Sequence, residues 1–148
     1  MKKVLLIGLA ALLVTGCGCS KKEETKIDID KLPDISGNEN VNIKEDGTKE
    51  NNSNTLSSKK TFESYEITDA KLSTDKNGRT TLLVNIKNTG STETKGKLVN
   101  IIFTDKNGND VSKLPTYIKA LKSNEIMNLS ASIDKDLSNA YNFRLENK

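Results

Sequence analysis

Two sulfur atoms near the start of the chain are the most reactive groups the sequence offers. Cys17 and Cys19 are its only cysteines, and its 148 residues contain no His and no Trp. A thiolate is a strong nucleophile, so covalent chemistry on this chain would begin at sulfur. Cysteines one residue apart close no useful loop, so they do not staple a fold. Without His the chain lacks the commonest general base and the commonest metal ligand. The carboxylates offer two further patterns. Asp105-Lys106-Asn107-Gly108-Asn109-Asp110 places oxygens at alternate positions, as calcium loops do. Its glycine comes too early for an EF-type loop, and Thr116 stands where the closing glutamate belongs, so a hairpin turn explains it. Asp134 and Asp136 could act as acid and base only if the fold set their environments apart. A solvated loop around Lys135 is the plainer reading. No Gly-rich phosphate loop and no G-x-S-x-G elbow occurs. The chain is therefore expected not to be an enzyme, to use no cofactor and to bind no metal. Its net charge of +3 is small and scattered, which argues against nucleic acid as a partner.

The surroundings of Cys17 say what its sulfur is for. Lys2 and Lys3 precede an apolar run at 4–14, VLLIGLAALLV. That run is too short for a bilayer core of about 30 Å, which needs roughly 20 residues, but it suits a signal-peptide core. Val14-Thr15-Gly16-Cys17 then resembles the lipobox of bacterial lipoproteins: an aliphatic residue, a small one, Gly or Ala, and Cys. The resemblance implies that the Cys17 thiol takes a diacylglyceryl group and that a peptidase cuts between Gly16 and Cys17. The expected location is the cell membrane, lipid-anchored on the extracytoplasmic face. Membrane is then a partner through the lipid on Cys17, since two or three acyl chains hold stably where one binds marginally. Cys19 has Gly16 three residues before it in place of an aliphatic residue, and is read as an inert small side chain.

The remainder divides by composition. Residues 1–16 are the expected signal peptide and 17–60 the expected lipidated N-terminus and disordered tether. Residues 20–60 hold few apolar side chains (Ile27, Ile29, Leu32, Ile35, Val41, Ile43 and Leu56) and no aromatic one. Such a stretch buries too little surface to offset its ordering entropy. Within it, 26–32 alternates as a strand does, and is read as a transiently extended segment beside Pro33. From 61 to 148 the pattern changes to short alternating runs, with turns every 8–12 residues. Asn77-Gly78 and Asn107-Gly108 mark two tight hairpins. Strands are expected around Tyr65 and Ile67, over 80–88 and 97–104, from Val111 until broken by Pro115, over 126–133, and from Tyr141 to Leu145. The expected fold is all-β, a small antiparallel sandwich of six or seven strands. Its expected core is Leu82, Val84, Ile86, Val99, Ile101, Phe103, Met127, Leu129, Ile133, Tyr141, Phe143 and Leu145.

The order of features over roughly 65–145 resembles the FxLYD-type immunoglobulin-like domains of bacterial surface lipoproteins. The matching pieces are Asn88-Thr89-Gly90 after a strand, Phe103 to Gly108 around an Asp-containing turn, and Leu121-Lys122-Ser123-Asn124-Glu125 before the next strand. Thr104 stands where that family has an aromatic residue, and Asn124 where it has Gly. The resemblance implies an immunoglobulin-like fold and an envelope location, and it brings no catalytic residues. The function expected is a non-catalytic surface binding or interaction module for an envelope protein or a wall polymer. The second reading is an accessory lipoprotein that stabilises an envelope or transport complex. Four apolar residues fall out of phase with the inward set: Leu83, Leu98, Ile102 and Ile126. Together they are the expected interaction patch.

The anchoring reading has a direct test. Cys17→Ala is expected to leave an uncut, unlipidated precursor. Labelling cells with a radioactive fatty acid checks this, and label persisting on the variant would refute the assignment.

Overall fold

A computed structural model describes residues 40–148. The expected signal peptide, Gly16 and Cys17, and the alternating 26–32 all lie outside the described residues. The described chain is mostly β. Its elements are β1 (Val41–Ile43), β2 (Lys49–Asn51), the short helix α1 (Asn54–Ser57), β3 (Lys60–Phe62), β4 (Tyr65–Thr74), β5 (Thr80–Asn88), β6 (Lys97–Thr104), β7 (Asp110–Ile118), β8 (Ile126–Ile133) and β9 (Asn142–Asn147). They form two antiparallel sheets. The larger has the order β1-β2-β4-β5-β8, with β3 also paired to β4, and the smaller has the order β7-β6-β9. The arrangement is sandwich-like, with one core between the sheets built from Leu72, Leu82, Ile86, Val99, Ile101, Phe103 and their neighbours.

Three hairpins close with the same turn. The amides of Lys44, Asp75 and Asp105 donate to the carbonyls of Thr48, Arg79 and Asn109 at 2.8–2.9 Å. Gly47, Gly78 and Gly108 sit at φ of 82–83°, where a side chain would be strained. Asp75 and Asp105 each accept amides two and four residues on, at 2.8–3.0 Å. Asn-Gly in the sequence therefore marked the β4–β5 and β6–β7 turns correctly.

Outside these hairpins the chain crosses from sheet to sheet three times, at 89–96, 119–125 and 134–141. The first two crossings lie at one end and are tied by Asn88, which is fully buried. Its Nδ2 donates to the carbonyls of Thr92 (2.8 Å), Leu121 (3.0 Å) and Lys122 (3.2 Å), while its Oδ1 accepts the Gly90 amide at 2.9 Å. The third crossing is held by hydroxyls. Thr80 Oγ1 donates to the Lys135 carbonyl at 2.7 Å and accepts the Leu137 amide at 2.9 Å. A hydroxyl has one proton, so in the 2.7 Å Thr74–Thr80 contact Thr74 is the donor.

The largest departure from expectation is at the N-terminal side. Residues 40–60 are not tether: β1, β2 and α1 lie within them, and β3 begins at Lys60. The composition argument failed because a single apolar side chain does most of the burial. Leu56 is fully buried in the main core. Both β2 and β3 pair along β4, β2 at Leu72–Thr74 and β3 at Tyr65–Ile67. Leu56 enters from the short helix between them. Polar groups fasten the rest. Asn51 Nδ2 donates to the carbonyls of Ser138 (2.7 Å) and Ala140 (2.8 Å), and Lys49 pairs with Asp136 at 2.6 Å. Half-buried Lys60 donates to the α1 carbonyls of Thr55 (3.0 Å) and Leu56 (2.9 Å), with its ammonium 4.7 Å from the Phe143 ring centre on β9. Burial lowers its pKa. Glu63, in the β3–β4 turn, accepts from Lys97 and from Asn147, and these bonds hold its carboxyl below the usual range.

Three smaller corrections follow from strand position. Pro115 does not break its strand: β7 runs through it unbroken, because β7 is an edge strand whose outward side needs no amide donor. Tyr141 is exposed rather than core, since pairing to β6 begins only at Asn142 and the pleat does not hold residue 141. Met127 and Ile133 are partly buried, packed against the core from an edge strand.

In urea unfolding, Leu56→Ala is expected to cost about 2–5 kcal/mol, the range for a truncated core leucine. A loss below about 0.5 kcal/mol, typical of a surface change, would return residues 40–60 to the tether.

Candidate interaction surface

The carboxylates singled out by spacing are engaged in structure. Asp105 Oδ1 accepts the amides of Asn107 and Asn109, and Oδ2 accepts Asn109 Nδ2 at 3.0 Å. These bonds, that from the Asn109 side chain foremost, lower its pKa. Of the calcium-like loop's two carboxylates, Asp105 thus serves its own turn, and Asp110 accepts from Arg144. Asp134 lies 3.7 Å from Arg79, whereas Asp136 accepts from Lys49 and from the amide and hydroxyl of Ser138. The pair does not converge on a common point, and Asp136 fastens β2 to the third crossing.

The four apolar residues expected to form one patch are split between two opposite faces. Leu83 on β5 and Ile126 on β8 lie on the outer face of the larger sheet, 45% and 57% exposed. They are offset along the strands, since Leu83 pairs with Ser130 and Ile126 with Lys87. Leu98 and Ile102 lie on β6, in the smaller sheet. Leu98 is 52% exposed, but Ile102 is only 2% exposed and stands apart from the main core. The reason is an arch. Arg144 of β9 reaches Asp110 of β7 with two bonds at 2.8 and 3.1 Å, and β6 lies between those strands. The guanidinium and its stem therefore cross the outer side of β6. Ile102 pairs with Lys113 on one side and Arg144 on the other, and such stems cover apolar surface well. Ile102 is thus removed from the expected patch.

The outer face of the larger sheet carries a feature that periodicity could not show. Between Thr68 and Lys71 the β4–β5 register shifts, and Asp69 takes φ of 54°. Bulges of this kind re-aim a side chain. Asp69 Oδ2 accepts from Asn85 Nδ2 at 2.7 Å and from Thr68 Oγ1 at 3.0 Å. Both bonds end on the same oxygen, so Oδ1 stays available beside them. Asp69, Lys71, Leu83, Asn85, Asn128 and Ser130 line one shallow depression. Farther along, Thr81 and Ser132 hydroxyls pair at 2.9 Å. Around the depression the face offers amides and hydroxyls, one aliphatic side chain in Leu83, one ammonium in Lys71 and one carboxylate fixed by Asn85. The opposite face, on the smaller sheet, offers a different surface. Leu98 pairs across strands with Tyr117, which is 54% exposed and lies against Gly96, where a Cβ would meet its hydroxyl at 2.0 Å.

Among the described residues no group of three or more His, Cys, Asp or Glu side chains is placed to hold a metal ion. Comparison with protein-family models, with curated proteins and with solved structures finds no match.

The split of the four residues is measurable by stability alone. Leu83→Ser is expected to shift unfolding by less than about 0.5 kcal/mol, and Ile102→Ser to cost about 2–5 kcal/mol. Similar losses for both in chemical denaturation would mean that they share one environment.

Proposed function

We propose that the protein is a lipid-anchored extracytoplasmic lipoprotein with an FxLYD-type immunoglobulin-like domain, and that this domain is a non-catalytic module binding wall polymer. The lipid on Cys17 holds it to the membrane, and the outer face of the larger sheet meets the ligand. The observation that carries the reading is the depression around Asp69. It sets a carboxylate, two amides, an ammonium and a hydroxyl around Leu83 on a rigid sheet. Donors and acceptors so mixed suit a polymer rich in hydroxyl and amide groups, and one apolar residue gives its ring carbons something to rest on. Asp69 is positioned by the backbone bulge and by Asn85, so little ordering is needed on binding.

A second reading is favoured by a separate observation. Leu98 and Tyr117 form an exposed apolar pair on the smaller sheet, and a domain that stabilises an envelope or transport complex would dock there.

Co-sedimentation of the intact lipidated protein with protein-free cell wall separates the readings. The wild type is expected to sediment with the wall. Asp69→Asn combined with Leu83→Ser is expected to weaken this roughly tenfold, the loss of about 1.4 kcal/mol. Leu98→Ser is expected to sediment like the wild type. No sedimentation of the wild type, or an unaffected double variant, would overturn the wall-binding reading.

A further inference from the structure

Every open sheet has edges, and an unpaired edge is a template for another strand. Among the described residues the two sheets present five outer strands: β1, β3 and β8 in the larger, β7 and β9 in the smaller. Four of them are guarded. β1 and β3 are only three residues long. β7 carries Pro115 and Lys113, and β9 carries Arg144 and Glu146, with α1 and β3 packed near it. β8 has β7 packed near it, but it is not short and carries no guarding residue. Its sequence, Ile-Met-Asn-Leu-Ser-Ala-Ser-Ile, is eight residues of strand without a charge, a proline or a register shift against β5. Its inward side chains Met127 and Ile133 are only partly buried, so the core is incomplete along this edge.

We propose that β8 pairs with β8 of a second copy of this chain, antiparallel about a two-fold axis at Ser130, joining the two larger sheets into one. A strand that meets its own copy sets each residue against itself or a near neighbour of its own sequence. Any charge near the axis would then face its own kind, and β8 has none to do so. Pairing centred on Ser130 puts Leu129 against Ala131 of the second copy and Met127 against Ile133. Large thus meets small at the first contact, and the two half-covered side chains close the gap in the core. On the outer face Asn128 meets Ser132 and Ser130 meets Ser130, all able to hydrogen-bond across the strands. Because Asn128 and Ser130 also line the depression around Asp69, the axis brings two such depressions side by side on one continuous face. The pairing does not depend on what those depressions hold.

Two experiments on the full-length, membrane-anchored protein test this. In a Cys19→Ser background, Ser130→Cys is expected to give an oxidised dimer, because opposed Cβ atoms in an antiparallel pair are about 4.5–5.5 Å apart. Leu83→Cys, also exposed on the outer face but one strand in from the edge, is the control and is expected to cross-link roughly tenfold less. Equal cross-linking at both positions, or none at Ser130→Cys, would overturn the proposal, as would capture of a different protein at Ser130→Cys. In detergent, sedimentation of the wild type is expected to show a dimer. Ser130→Lys and Ser130→Glu are each expected to weaken it roughly tenfold or more by like-charge repulsion. Mixing the two variants is expected to restore it, which a mere folding defect would not do. A monomeric wild type, or a Ser130→Lys protein as dimeric as the wild type, would overturn the two-fold pairing.

Discussion

A two-sheet protein has to carry its chain from one sheet to the other, and those crossings have no ladder to satisfy their backbone groups. A buried backbone polar group without a partner costs about 1–3 kcal/mol. Asn88 removes that cost at one end of the molecule. One amide side chain caps three carbonyls and one amide in two crossings that are far apart in sequence. Its own backbone joins the same knot, donating to Glu125 and accepting from Asn124. The crossings in turn place Leu121 in the core and set where β6 and β8 begin. Register across the sandwich therefore descends from a side chain that is polar and completely enclosed. At the opposite end the same constraint is met by a relay from Thr74 through Thr80 to Lys135 and Leu137.

The N-terminal segment adds a different kind of restraint. It contributes little apolar area, yet it closes the open flank of the sandwich beside β4 and β9. Leu56 fills the core from that side, Lys60 joins α1 to the Phe143 ring, and Glu63 joins β3's turn to Lys97 of β6 and Asn147 of β9. Each of these groups links elements of different sheets. The lysine is retained although burial disfavours its charge, because three carbonyls and an aromatic face receive it.

Local patterns were legible in the sequence wherever one residue decides the backbone. Asn-Gly fixed two turns because positive φ admits few residues, and strict alternation gave β5, β6 and β8 with the correct inward face. The failures came from tertiary partners. Leu56 lay in a polar stretch and gave no period, since a four-residue helix shows none. Ile102 was read outward, correctly, but its cover comes from an ion pair between strands that sequence does not bring together. Pro115 suggested a break because nothing in the sequence said that β7 would lie at an edge. Asp69 was invisible for a related reason. A bulge exists only relative to a partner strand, so its effect on a side chain appears once β4 is paired with β5.

The order in which the chain joins the fold also sets how it bears load. Tension applied along the backbone through Asn40 reaches β1 first, a three-residue strand paired only to β2. Peeling breaks such a ladder one bond at a time, starting where the Asn40 carbonyl accepts the Asn52 amide at 2.8 Å, and needs little force at any instant. The next resistance is of another kind: Asn51 is tied to the third crossing and Leu56 is seated in the core. Those contacts must give way together. The outermost hairpin is thus a mechanical fuse. It yields early and lengthens the connection before the load reaches β4, the strand that carries Asp69.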